Sequence, residues 1–139
     1  MQQERMFVSS ISGLDDFLLY FVPALAIFAL FVFIYVHITP YREIRLIRDG
    51  NVAAAASLSG TMLGFVIPLA SAIGNSVSLV DMLIWAGIAL VIQLLAFLAA
   101  RALFPAIATD IPAGKLAPAI FVGVLSLAVG ILNAACMTT

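Results

Sequence analysis

The sequence predicts an all-α integral membrane protein: four transmembrane helices from a parallel duplication of a two-helix hairpin, N-out/C-out. Three observations lead there: the composition, the spacing of charge-free runs, and the placement of the few cations. The chain is 65% hydrophobic and only 9% charged, with a mean hydropathy of +1.23. A soluble domain carries about 25% charged residues, and so apolar a surface is solvated only by a bilayer. The net charge of −1 says little as a total. Six dispersed cations do not form the basic patch a nucleic-acid partner requires.

Each span needs about 20 apolar residues. Charge-free stretches at 17–38, 52–80, 82–100 and 116–139 qualify. The second is too long for one span, and Gly74-Asn75-Ser76 supplies turn chemistry, which closes that helix around Ile73. The first span is not a cleaved signal peptide. Asp15 and Asp16 stand where a basic region belongs, and no small-residue cleavage pattern follows.

Orientation follows from the cations. Arg42, Arg45 and Arg48 follow the first span, while Arg101 and Lys115 flank the loop after the third. The positive-inside rule makes that side cytoplasmic. The opposite side holds Glu4, Asp15, Asp16 and Asp81 against Arg5 alone. The expected organisation is an extracytoplasmic segment over 1–14, a first hairpin over 15–74 and a second over 75–139.

Sliding the sequence by 65 residues places Asp16 on Asp81, Tyr20 on Trp85 and Pro40 on Pro105. The aspartate suits the N-terminus of each odd span, the aromatic suits the headgroup belt, and the proline ends the helix. One residue further, Gly60, Gly64 and Pro68 match Ser126, Gly130 and Ala134. Ala56, Gly60 and Gly64 recur every fourth residue, as do Ser126, Gly130 and Ala134. Small residues at that spacing let helices approach closely in lipid, so the second and fourth spans are expected at the packing centre. Bulky Phe21, Phe28, Phe31 and Phe33 are expected to face lipid.

The first cytoplasmic loop reads as a short amphipathic helix. Thr39 caps it, Pro40 starts it and Gly50 ends it, with Tyr41, Ile44 and Ile47 on one face and Arg42, Glu43 and Arg45 elsewhere. Arg42, Arg45 and Arg48 make it an interfacial basic helix, either a plain topology signal or a dock for anionic lipid or a cytoplasmic partner.

Polar groups at membrane depth are costly and mark function. No Asp, Glu, Lys or Arg lies mid-span, which argues against an ion-coupled pump. Gln93 and Asn133 are the deepest strong hydrogen-bonding side chains, with Phe28 and Ile67 at the matching positions of the first half. They serve as interhelical glue or as the lining of a polar path. The lone His37 and lone Cys136 offer no metal set, haem site or disulfide. No phosphate loop or nucleophile motif is present, so neither an enzyme nor a cofactor is expected.

Several segments are more specific than their hydrophobicity. His37-Ile-Thr-Pro40, Gly50-Asn-Val-Ala-Ala, Gly60-Thr-Met-Leu-Gly64-Phe-Val-Ile-Pro68, Trp85-Ala-Gly-Ile-Ala-Leu-Val-Ile-Gln93 and Gly130-Ile-Leu-Asn133-Ala-Ala-Cys136 resemble the YjfL-like family of small bacterial inner-membrane proteins. The resemblance runs from about Asp15 to the end and leaves out Met1–Ser10. It implies an inner-membrane domain of unknown function, a two-helix unit often in tandem and often encoded near phage-shock-type envelope proteins. It carries no catalytic or binding residues, and places Gly60, Gly64, Pro68, Gln93 and Asn133 within family motifs.

The expected function is a non-enzymatic membrane module that associates with itself or with a membrane or cytoplasmic protein, serving envelope maintenance. The alternative is a homo-oligomeric channel or small transporter with its path near Gln93 and Asn133. A third idea is a lipid or quinone site in a groove between the halves.

Overall fold

In the computed structural model, which describes residues 1–137, the chain is all-helical. Its elements are α1 (Gln2–Ile38), α2 (Glu43–Arg48), α3 (Val52–Asn75), α4 (Leu79–Leu103), α5 (Ile107–Asp110) and α6 (Leu116–Cys136). Four of them, α1, α3, α4 and α6, are long and apolar enough to cross a membrane. The short α2 and α5 lie in the two loops that carry most of the cations.

Helix boundaries follow local chemistry, and several differ from the sequence expectation. Helix α1 does not start at Phe17. It is continuous from Gln2, so Asp15 and Asp16 lie inside a helix of 37 residues and cap nothing. The upstream residues contain no proline, and nothing local stops the helix before Gln2. Helix α4 starts at Leu79 with Ser78, not Asp81, as its N-cap. The Ser78 hydroxyl accepts from the Asp81 N–H at 3.1 Å, and the Asp81 carboxylate accepts from the Val77 N–H at 3.1 Å. The pair resembles a capping box, with Asp81 reaching one residue further back, to the N–H before the cap. Helix α3 runs through Gly74 to Asn75, two residues beyond Ile73, because the Asn75 amide donates back to the Ser71 carbonyl at 2.9 Å.

The centre of the bundle is the α3–α6 pair, which shares the most extensive interface. Gly60 meets Gly123, Gly64 meets Ser126 and Gly130, and the Ser71 hydroxyl donates to the Ala134 carbonyl at 3.1 Å. Rising partner numbers mean that the two helices run in the same direction. A Cβ on Gly60 would fall 2.5 Å from the Gly123 carbonyl oxygen, and one on Gly64 only 2.7 Å from the Ser126 carbonyl carbon. Backbone touches backbone, so dispersion between close surfaces stands in for the hydrophobic effect that lipid removes.

Helices α1 and α4 pack around this pair. Phe31 corrects the expectation that the α1 phenylalanines face lipid. It is fully buried, stacked on Phe65 of α3 with centroids 4.4 Å apart. Phe21 and Phe33 are exposed, and Phe28 is half-buried. Offset stacking rewards the inward face of an otherwise uniformly apolar helix, a preference that hydrophobicity alone does not encode.

The loop after α1 also departs from the expectation. Thr39 is the C-cap of α1 rather than the start of a new helix, and its hydroxyl donates to the Val36 carbonyl at 3.1 Å and the Tyr41 carbonyl at 3.3 Å. Tyr41 precedes α2 and turns inward against Ala53, Ile107 and Ile111, while Ile44 is exposed. Arg42 sits at the N-cap outside the helix, whereas Arg45 and Arg48 occupy its last turn and favour its negative end. Gly50, with φ +89°, ends α2 in the left-handed conformation, as expected of a residue just past a helix. The two loops are joined, since the Asn51 amide donates to the Ile111 carbonyl at 2.9 Å.

Candidate functional site

The buried polar groups gather on one side of the α3–α6 pair. Gln93, midway along α4, is fully enclosed. Its Nε2 donates to the Gly64 carbonyl at 2.8 Å and the Ser126 carbonyl at 3.1 Å. The first of these bonds has a covalent cause. Pro68 stands four residues after Gly64 and has no N–H, so the helix leaves the Gly64 carbonyl without its usual donor. The missing side chain at Gly64 opens the approach, and Gln93 fills the vacancy. The three residues are one device, and only Gln93 Oε1 remains buried without a partner.

Toward the arginine-bearing end the polar line continues. The Thr61 hydroxyl lies 3.4 Å from the Ser126 hydroxyl and 3.4 Å from the Tyr35 hydroxyl, and 2.9 Å from the Ser57 carbonyl that it donates to. Tyr35, Ser57, Thr61 and Ser126 are all buried. The line ends at Glu43 and Tyr41. Glu43 is 1% exposed, and both its carboxyl oxygens and the Tyr41 hydroxyl lack a hydrogen-bond partner. Among the described residues no cation comes within ion-pair reach of Glu43; the one ion pair joins Lys115 to Asp110 at 3.4 Å. Loss of hydration disfavours the charged form, and burial pushes the Glu43 carboxyl up to about 8, with the neighbouring Tyr41 hydroxyl pulling the other way. Burial, and then the charge of Glu43, push the Tyr41 phenol up as well.

Gln93 and Asn133 do not meet. Gln93 binds at Ser126, seven residues and two turns before Asn133. Asn133 is half-buried, and its Nδ2 has no partner. Ala56 lies against Gly123, its carbonyl oxygen 2.9 Å from where a Cβ there would stand. Pro68 is buried, and Ala134 accepts from Ser71. His37 is exposed, and its Nδ1 pairs with the Phe33 carbonyl at 2.7 Å. Cys136 is exposed. One apolar groove, of about 330 Å³, is lined by Phe21, Leu25 and Phe28 of α1 and by Val66, Leu69 and Ile73 of α3, and another, of about 340 Å³, by Phe28 of α1 and Met62, Leu63 and Val66 of α3. Both lie within the first hairpin rather than between the halves.

Sequence reasoning missed Gly123, which breaks the every-fourth spacing, and Glu43, which looked like one more solvated charge. The signal available for Glu43 was its place beside Tyr41 at the start of a one-and-a-half-turn helix.

A family model described as Domain of Unknown Function (DUF350) matches residues 8–137. The chain belongs to this family. Within it, the chain is 49% identical over 128 residues to the UPF0719 inner membrane protein YjfL of Escherichia coli (strain K12), which covers 92% of this chain and 97% of the relative. The protein of the same name from Escherichia coli O157:H7 matches to the same extent. No solved structure matches. Like its relatives, this DUF350 chain is an inner-membrane, multi-pass protein, and the family's description assigns no activity to the polar line.

Proposed function

We propose that this protein is a non-enzymatic membrane module that associates with itself or with a protein partner, in the service of envelope maintenance. One observation carries the reading. Phe7, Ile11, Leu14, Leu18, Phe21 and Leu25 of α1 fall at alternating spacings of four and three, and every one is exposed. That spacing is the one used by helices that pack knobs-into-holes against another helix. At about 1.5 Å per residue α1 is about 55 Å long, well beyond the ~30 Å hydrocarbon core. Its first turns carry the stripe past the lipid, where exposed apolar surface gains by meeting a partner.

The reading includes a parallel duplication with both termini outside the cytoplasm. Supporting the duplication, facing pairs across α3 and α6 are separated by nearly one repeat, as with Gly60 and Gly123 or Thr61 and Ser126. Both connecting helices are followed by a positive-φ glycine, Gly50 and Gly114. The orientation rests on Arg42, Arg45, Arg48, Arg101 and Lys115 sharing one end.

The test is the mass of the protein–detergent complex together with mild crosslinking in native membranes. A defined oligomer or a reproducible partner, lost in Ile11→Asp and Leu14→Asp, is expected. A monomer that crosslinks to nothing overturns the reading.

A second reading, a homo-oligomeric channel or small transporter, is favoured by the unpartnered Gln93 Oε1 and Asn133 Nδ2. It requires solute or ion flux in liposomes that Gln93→Leu changes. The absence of flux, or flux indifferent to that substitution, removes it.

A further inference from the structure

We propose that Glu43 is a proton-binding site at the arginine-bearing end of the bundle, loaded from water by way of the hollow around α2 and coupled through its charge to Tyr35, the first of the buried Tyr35, Thr61 and Ser126 hydroxyls. The inference stands apart from the association reading, since it concerns the inner line of the bundle rather than the outer face of α1.

The argument starts from hydrogen-bond accounting. Buried polar atoms in folded proteins have partners, and an orphan requires an explanation. Here neither carboxyl oxygen of Glu43 nor the phenol beside it makes a hydrogen bond of good geometry, although the Tyr41 hydroxyl lies close enough to act on the carboxyl. A carboxyl kept for structure would hold a backbone N–H or a cation, and Glu43 holds neither. Left ionised it would be an uncompensated charge in an apolar setting, a state that proteins avoid by taking up a proton. Burial accordingly pushes this carboxyl up to about 8, so the group changes charge near neutral pH.

The surroundings fit a proton better than a metal ion. Glu43 is the buried carboxylate of the site, with Asp49 at the rim of the hollow, and among the described residues no three His, Cys, Asp or Glu side chains gather to hold a metal. Calcium takes six to eight oxygens, commonly several of them carboxylate. The hollow beside Glu43, of about 540 Å³, is rimmed by Arg42, Arg45, Arg48 and Asp49, a net positive mouth that discourages other cations. From the elements packed against Glu43, α1 presents Tyr35 and the loop between α1 and α2 presents Tyr41, both within electrostatic reach. Helix α3 presents Ser57 and Thr61, which do not titrate. The charge of Glu43 reaches Tyr35, whose hydroxyl stands 3.4 Å from that of Thr61, itself 3.4 Å from that of Ser126, so a change in the protonation of Glu43 acts first on Tyr35.

The chain contains only two glutamates, Glu4 and Glu43, and Glu4 is exposed, which supplies an internal reference. Full-length protein labelled with ¹³C at the glutamate carboxyl and at the tyrosine Cζ is placed in lipid nanodiscs and titrated by NMR. Glu43 is expected to bind its proton on the order of a thousandfold more tightly than an ordinary glutamate. The Tyr35 resonance is expected to follow the Glu43 midpoint. Glu43→Gln identifies the signal, and the wild-type titration stands even if that variant folds poorly. Two glutamates titrating together overturn the site. A Tyr35 resonance that ignores Glu43 overturns the connection. A Glu43 midpoint that falls when sodium or potassium replaces choline shows a metal-cation site and overturns the proton assignment.

Discussion

Gly64, Pro68 and Gln93 show how one imino acid sets the role of a residue on another helix. Pro68 removes a donor, Gly64 clears the space, and Gln93 supplies the donor back at 2.8 Å. Gln93→Leu is expected to cost about 1 kcal/mol, between the small average for hydrogen bonds in membranes and the penalty for an orphaned buried carbonyl. Pro68→Ala restores a helical N–H for Gly64. In that background Gln93→Leu should cost less, and a double-mutant cycle by SDS unfolding in mixed micelles measures the coupling. Gly64→Ala places a methyl group against the Ser126 backbone and is expected to cost about 2 kcal/mol. Glu43 gives the pH dependence. Its carboxyl moves from 4.5 to about 8 in the fold, so the folded state binds more protons between those values. Stability should then fall as pH rises through that window, by an amount on the order of a few kcal/mol. Glu43→Gln should flatten the profile. An unchanged wild-type slope between pH 5 and 9, taken as roughly bracketing the window, would contradict it.

Among the elements, the short helices owe their existence to their ends. Helix α2 has six residues, too few to persist alone, and it is held by the inward turn of Tyr41, the left-handed Gly50 and the Asn51 bond to Ile111. Asn51 also caps α3, accepting from the Ala54 N–H at 3.0 Å. Asn51→Ala therefore loses a cap and the staple between the loops. It should cost about 1–2 kcal/mol and speed amide hydrogen exchange in both α2 and α5. The four spans were legible in the sequence because length and hydropathy are local properties. The start of α1 was not, since a weakly amphipathic stretch such as 2–14 carries no stop signal. The Thr39 cap and the inward Glu43 were not legible either, because a charged residue in a basic loop looks solvated until a neighbour covers it.

For the molecule as a whole, orientation is the property most easily checked. Cys136, the lone cysteine, is exposed near the end of α6. With both termini outside the cytoplasm, a membrane-impermeant maleimide should label it in spheroplasts without lysis, and a cysteine placed at Arg48 should need lysis. The reverse pattern would invert the topology. Association acts at the same scale, through an α1 that buries only Ala24, Phe31 and Tyr35 among its 37 residues.

By itself the sequence determined what solvent this protein lives in, how many times it crosses, and which small residues allow close approach. Those features follow from transfer free energy, rise per residue and side-chain volume, all of which are local. Only the tertiary structure decided that Gly123 completes the α3–α6 contact, that Phe31 points inward, that Gln93 serves the carbonyl left by Pro68, and that Glu43 is buried without a partner. Each of these depends on which atoms of a distant helix arrive beside it. In a chain so uniformly apolar, hydrophobic pattern does not single out one face, and close packing and hydrogen bonds make the choice.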